Sequence, residues 1–247
     1  LNARRSLASC RFIAQRMLSH LRDLAIHGRN MTPTMGNALT ARLLASAEDL
    51  RLPIRLGRAA KALLREGGTV AGAVVSGPSG ETIVRARNGV VLACGGFPHD
   101  YERRKRVFAH RPTKTAHLSC APETNTGDGI AMAEAIGAAF EGDLHDGGAW
   151  YPTSRVRYPD GSETNNPHLL ERGKPGVIAV TPDGNRFTDE AQNYHDFVKA
   201  MLAAPHAAPD HAVHFICDHR ALRRYGLGVA RPFPFPYRGF LRSGYLL

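Results

Sequence analysis

The run Asn88-Gly89-Val90-Val91-Leu92-Ala93-Cys94-Gly95-Gly96-Phe97 constrains this chain more than any other stretch. Its apolar residues follow one another without alternation, which is the pattern of a strand covered on both faces. It ends in a diglycine, and glycine lets a ligand approach the main chain closely. The carboxyl ends of strands in open α/β sheets are where cofactors bind. A tight turn is the simpler explanation of a lone Gly-Gly. What surrounds the run therefore decides between them.

Upstream, Ile13, Met17, Leu21 and Leu24 recur at helical spacing and predict a helix over residues 6–27, stopped by Gly28. Leu39, Leu43, Leu44, Ala47 and Leu50 predict a second helix after Gly36-Asn37. Short strands are expected at Pro53–Leu56, Thr69–Val75, Thr82–Ala86 and Gly89–Ala93, with turns at Gly67-Gly68 and Gly77-Pro78-Ser79-Gly80. Thr126–Phe140 reads as a helix with Ile130, Ala133, Ile136 and Phe140 on one side. The text from Trp150 to Asn166 is polar and turn-rich, and a domain boundary is placed there, dividing 1–154 from 155–247. Beyond it, Gly176–Thr181 reads as a strand, Pro182-Asp183-Gly184-Asn185 as a hairpin turn, Tyr194–Leu202 as a helix and Val213–Cys217 as a strand. The prolines of Arg231-Pro232-Phe233-Pro234-Phe235-Pro236 exclude a helix. Helices feeding strands make an α/β or α+β layer.

Composition narrows the class. A chain of 247 residues with 43% hydrophobic and 22% charged residues is an ordinary globular mixture, large enough for a real core. No stretch approaches the roughly 20 apolar residues that span a bilayer. Leu1-Asn2-Ala3-Arg4-Arg5 is not followed by the apolar core of a signal peptide. Cys10, Cys94, Cys120 and Cys217 form no Cys-x-x-Cys pair, which argues against structural zinc and fits a reducing cytoplasm. The formal charge of +10 is spread along the chain, so no nucleic-acid partner is expected. A basic surface also suits an anionic cofactor or an acidic membrane face, so peripheral membrane association stays open. His206, His211 and His214 lack metal-ligand spacing and read as solvated loop histidines.

Two further stretches could carry chemistry. Thr126-Gly127-Asp128-Gly129 opens a helix, whose free amides and positive dipole end suit an anionic or electron-rich group. The plain alternative is that Thr126 or Asp128 caps the helix. Downstream, Arg186 and Glu190 could form a surface ion pair worth under about 1 kcal/mol, and Tyr194 could be an amphipathic core residue.

In order, Gly36-Asn37-Ala38-Leu39, Val90–Phe97, Asn125-Thr126-Gly127-Asp128-Gly129 and Asn185-Arg186-Phe187-Thr188-Asp189-Glu190 resemble the flavoprotein superfamily of fumarate reductase and 3-ketosteroid dehydrogenase. The resemblance implies FAD. It also implies a partial FAD-binding Rossmann-like domain over 1–154, without its Gly-rich N-terminal βαβ unit, and part of an α+β catalytic (capping) domain over 155–247. Cys94, Gly95, Gly96, Phe97, Asn125, Thr126, Gly127, Asp128 and Gly129 would lie along the cofactor. In the fumarate reductase branch the fourth residue after the glutamate is typically an arginine, within Thr-Arg-Asp. Here that residue is Tyr194, followed by Phe197-Val198 and Met201, which resembles the 3-ketosteroid dehydrogenase branch. Arg224-Tyr225-Gly226-Leu227 and Ser243-Gly244-Tyr245-Leu246 resemble that branch too.

By that resemblance the chain is an oxidoreductase acting on a CH–CH bond in the A ring of a 3-ketosteroid. Its partners are a steroid or other hydrophobic ketone and an electron acceptor. Tyr194 contributes the base and N5 of the flavin accepts the hydride. The family's supporting tyrosines and the backbone amide at the ketone would fall upstream of Leu1 and downstream of Leu247. The Gly-x-Gly-x-x-Gly fingerprint is also not found here. The chain is therefore expected to be an internal fragment, inactive alone. Two other readings remain: an enoate reductase like fumarate reductase, with Arg186 or Arg172 as proton donor, and a degenerate, non-catalytic interaction protein.

Overall fold

Ser6 opens the first helix, its hydroxyl accepting from the Ser9 N–H at 3.4 Å. Helix α1 (Leu7–His27) ends at Gly28, whose φ of 68° reverses the chain while its N–H bonds the Leu24 carbonyl at 3.0 Å. Helix α2 follows (Met35–Asp49). Both match the spacing, and no residue of either is buried. The computed structural model describes residues 6–110, 117–142, 146–158, 160–205 and 211–247. It divides into two compact units, Leu1–Arg58 and Ala59–Leu247.

The second unit begins with an antiparallel sheet of order β1-β2-β3: β1 (Ala59–Glu66), β2 (Thr69–Gly77) and β3 (Gly80–Arg85). Gly67 and Gly68 both hold positive φ, as a two-residue hairpin turn requires. Gly72 is fixed by close approach, since a Cβ there would lie 2.2 Å from the Val84 carbonyl oxygen. The expected strand at Pro53–Leu56 does not form. The strand is β1 instead, although its Ala, Leu, Lys and Glu residues favour helix. Pairing with β2 overrides that local preference.

The run Gly89–Ala93 forms no strand either, and Val91 is 90% exposed. A strand of this type is stable only between neighbours, and none pairs with it among the described residues. Downstream, helix α3 (Tyr101–Val107) absorbs the basic cluster and was not anticipated. Helix α4 (Asp128–Ala135) is shorter than the expected 126–140, because Gly137 turns to φ 94° just past its end and leaves Phe140 outside. The turn-rich text after Trp150 holds a hairpin, β4 (Thr153–Arg157) with β5 (Glu163–Pro167), in which Val156 faces inward and is fully buried.

A single 3-10 turn (Glu171–Gly173) leads into β6 (Val177–Val180), which pairs antiparallel with β7 (His214–Cys217). Between them lies α5 (Tyr194–Ala203), and after them α6 (His219–Tyr225) and α7 (Arg238–Arg242). Every strand pairing among the described residues is antiparallel. The result is the mixed helix-and-strand class expected. Phe108, Trp150, Ala179, Phe197 and Val198 form the main core, against which Phe97, Phe187 and Phe215 pack. Its members come from both sides of residue 154.

Candidate cofactor and active site

The two glycine motifs lie against each other. The Gly127 N–H donates to the Gly96 carbonyl at 3.1 Å, and the His99 N–H to the Asn125 carbonyl at 3.1 Å. Gly95 sits at φ 84°, and a Cβ there would lie 2.6 Å from Asn125 Oδ1. A Cβ on Gly129 would lie 2.5 Å from Cys94 Sγ. Gly95 is held by its positive φ, and Gly129 leaves the room that the Cys94 side chain fills. Neither Thr126 nor Asp128 caps α4: Gly127 holds the N-cap position, and the Thr126 hydroxyl donates to Asp128 Oδ1 at 2.8 Å. The first-turn amides of α4 therefore carry no side-chain cap, while the Asp128 carboxylate lies in the first turn, at the positive end of its dipole.

Tyr194 is the first residue of α5 and is 45% exposed, so it is not a core residue. Asn193 fixes this helix end, its Oδ1 accepting from the His195 and Asp196 N–H groups at 3.0 Å each. The Tyr194 ring meets Tyr151 edge to face, with centroids 6.5 Å apart. Tyr151 lines a cavity of about 230 Å³ together with Gly96, Phe97, Phe108, His117 and Trp150. One cavity therefore links Gly96 to Tyr151, the tyrosine that the Tyr194 ring meets. Burial raises the Tyr151 phenol above its ordinary pKa, with Cys120 beside it, so Tyr151 stays protonated at neutral pH. Sequence reasoning missed Tyr151, because one aromatic in polar text carries no signal.

The residue after Tyr194 ties α5 to the cavity wall. His195 Nδ1 accepts from the Trp150 N–H at 3.2 Å, which leaves Nε2–H to donate to Asp146 Oδ2 at 3.0 Å. That hydrogen bond holds the Asp146 carboxyl below its ordinary range against the effect of burial, and the Lys199 charge at 3.4 Å assists.

The loop before Tyr194 is anchored by two buried charges. Glu190 is 4% exposed, so its pairing with Arg186 is not the plain surface ion pair that was the simpler alternative. Its carboxylate accepts from the Ala179 N–H at 2.8 Å and from Arg186 at 3.0 and 2.5 Å. Burial pushes its pKa up, but those donors outweigh it and hold the carboxyl below its ordinary range. Arg172 is 3% exposed and gives its donors to main-chain carbonyls: His168 at 3.2 Å, Gln192 at 2.6 Å, and Glu190. Its guanidinium also lies 5.0 Å over the Phe197 ring. Arg172 and Arg186 are thus both committed to the frame, which speaks against either as the proton donor of an enoate reductase.

Around Trp150 gathers a set of rings: Phe108 at 4.5 Å, His110 at 5.3 Å and His117 at 5.9 Å, with His211 6.2 Å from His110. His211 packs here and is not the solvated loop histidine expected, while His206 lies outside the described residues. Among the described residues no group of three His, Cys, Asp or Glu side chains is placed to hold a metal ion. Burial lowers the His117 pKa from 6.5 to about 4, with the charges of Arg104, His110 and His99 adding to it. The unfolded chain therefore takes up this proton near pH 6.5, the folded protein only near pH 4. Stability that is whole above pH 6.5 is expected to fall by about 2–3 kcal/mol on the way to pH 4, after discounting for partial contact with water. Urea melts across that range should show the loss, and His117→Asn should flatten it; parallel curves for the two proteins would refute the assignment.

Residues 8–240 match the family described as FAD binding domain, and the chain belongs to it. Its cofactor is FAD. A 4-oxocyclohex-2-ene-1-carboxylate 5-dehydrogenase of Sinomonas cyclohexanicum is 34% identical over 244 residues, covering 98% of this chain and 41% of that protein. A 3-oxosteroid 1-dehydrogenase of Mycobacterium tuberculosis is 35% identical over 186 residues, covering 72% and 31%. The solved 3-ketosteroid delta1-dehydrogenase of Sterolibacterium denitrificans, in complex with 1,4-androstadiene-3,17-dione, superposes with a TM-score of 0.75 at 28% identity, covering 90% of this chain and 40% of that one. The chain spans less than half the length of each. Among the described residues no helix is long and apolar enough to cross a membrane. The uncapped start of α4 beside the Cys94–Phe97 main chain suits an anionic, electron-rich cofactor, so the residues present fit FAD.

Proposed function

We propose that this chain carries the base and part of the cofactor cleft of a dehydrogenase that introduces a carbon–carbon double bond next to a ring ketone. The carrying observation is the cavity that joins Gly96-Phe97 to Tyr151, with Tyr194 against Tyr151. FAD, held by Cys94–Phe97 and Asn125–Gly129, supplies the hydride acceptor when bound. Tyr194 removes the proton from the carbon beside the carbonyl, whose acidity comes from the enolate it leaves. An unperturbed phenol of pKa about 10 is only about one part in a thousand ionised at neutral pH, so a neighbouring group must favour its phenolate. Asn193 and His195 hold the tyrosine against Tyr151, which lines the cavity, and the aromatic wall of Phe97, Phe108 and Trp150 excludes water.

In this reading residues 1–154 serve the cofactor and 155–247 the base and substrate. The relatives named above are described as acting on a 3-oxosteroid and on an oxocyclohexene carboxylate, which share a ring ketone. The A ring of a 3-ketosteroid is one such ring. An electron acceptor for the reduced cofactor and a cytoplasmic location belong to the same reading.

The test is anaerobic mixing of the FAD-loaded protein, expressed in its natural reading frame, with 4-oxocyclohexanecarboxylate, androstenedione and succinate in turn. Bleaching of the visible flavin band by a ring ketone and not by succinate is expected, with no turnover from residues 1–247 alone. A flavin-loaded protein that no ring ketone bleaches would sink the reading.

A further inference from the structure

Residues 219–247 hold six arginines and neither aspartate nor glutamate, a local excess that the whole-chain charge conceals. Three of the six come from separate segments: Arg223 from α6, Arg231 from the Pro-Phe loop and Arg238 from the start of α7. All three line one cavity of about 250 Å³, together with Phe233, Phe235 and Tyr237. None of these residues lines the cavity that joins Gly96 to Tyr151. Among the described residues no carboxylate pairs with any of the three arginines.

The loop that brings them together is held by its main chain, not by the charges. The Phe233 N–H donates to the Arg223 carbonyl at 2.8 Å, and the Phe235 N–H to the Pro232 carbonyl at 3.2 Å. Tyr237 is tied to α6 by its hydroxyl, 3.0 Å from His219 Nδ1. The Arg223 guanidinium lies 4.7 Å over the Phe233 ring, and that of Arg231 lies 5.2 Å over Phe235. Such ring contacts orient a guanidinium without consuming its N–H donors. Both phenylalanines stay open to solvent, Phe233 at 64% and Phe235 at 51%.

Three like charges around one cleft repel one another, and an anion bound between them relieves that repulsion. A carboxylate is planar and is satisfied by a single guanidinium fork. A phosphate ester carries close to two negative charges at neutral pH, on three oxygens that point in different directions, which suits donors from three segments. The cavity lies below the roughly 300–1,000 Å³ of drug-sized pockets, which leaves room for a phosphate group and the few atoms that carry it. We infer that Arg223, Arg231 and Arg238 form a phosphate-binding cleft, with Phe233 and Phe235 as apolar contacts for the molecule that bears the phosphate. The inference stands apart from the ring-ketone reading, since the two cavities share no lining residue. A soluble phosphate ester and a lipid headgroup offer the same chemistry.

Isothermal titration of the FAD-loaded protein, expressed in its natural reading frame, with inorganic phosphate is expected to give saturable binding that chloride at equal ionic strength does not. Arg223→Gln and Arg231→Gln should each weaken it by about tenfold or more. Both side chains are exposed, so folding should be unaffected. Arg242→Gln, in the same stretch but outside the cavity, should change it by less than about twofold. No phosphate binding would overturn the proposal. Equal losses from Arg223→Gln and Arg242→Gln would overturn it too, by showing a diffuse basic face. Sedimentation with phosphatidic acid–phosphatidylcholine vesicles then identifies the source. Pelleting that Arg223→Gln abolishes and inorganic phosphate competes away assigns the cleft to a lipid headgroup. Phosphate binding with no such pelleting, or with pelleting that Arg223→Gln leaves intact, assigns it to a soluble ester.

Discussion

Tyr194→Phe is expected to lower turnover by roughly 10²–10⁴-fold while leaving flavin content and ketone binding unchanged. The substitution removes only the phenolic hydroxyl. The ring that meets Tyr151 at 6.5 Å is kept, and so is the Asn193 cap, which acts through backbone N–H groups. Because Tyr194 is 45% exposed, the stability cost should stay within about 0.5 kcal/mol. Two measurements separate a base from a wall residue: kcat with a ring ketone, and solvent deuterium uptake at the carbon beside the carbonyl. Both should collapse together. A variant that keeps turnover within tenfold of wild type would place the base elsewhere and leave Tyr194 as a packing partner of Tyr151.

Why the sequence pointed to Tyr194 but not to its surroundings follows from what each signal needs. Ser6, Gly28 and Asn193 mark helix ends through bonds to residues within a turn of themselves, so α1 and α5 were legible. β6 and β7 were legible as separate strands because each is a short apolar run, but their pairing across α5 was not. β1 was not, because its residues favour helix and only β2 makes it a strand. Gly89–Ala93 failed in the opposite sense: its text is that of a buried strand, but a strand needs neighbours that the run itself cannot supply.

The site divides the same way. The glycine motifs were readable because positive φ and close approach demand glycine wherever the partner segment comes from. Tyr151 and His117 were not, since lining one cavity is a fact of three dimensions. Glu190 shows the limit within a single motif. Its four-residue spacing from Arg186 was visible, but not the Ala179 N–H that takes the carboxylate into the core.

Arg172 carries the second large effect. Arg172→Met is expected to destabilise the protein by about 3–5 kcal/mol. Methionine keeps most of the volume over Phe197, but it removes the donors to His168, Glu190 and Gln192. Each carbonyl left unpaired costs about 1–3 kcal/mol, and partial rehydration of Gln192 keeps the sum below the simple total. Arg172→Lys keeps the charge, but a single ammonium cannot serve carbonyls on both sides of a planar fork, so an intermediate loss is expected. The carbonyls of Glu190 and Gln192 lie three residues and one residue before the Asn193 cap. Where Arg172→Lys remains folded, kcat should therefore fall more than ketone binding does, because the clamp sets the position of Tyr194. Urea melts and steady-state kinetics on the same preparations decide it. An Arg172→Met protein within about 0.5 kcal/mol of wild type would show that the clamp does not hold the loop. A lysine variant of wild-type stability whose turnover alone is lost would return Arg172 to the role of proton donor.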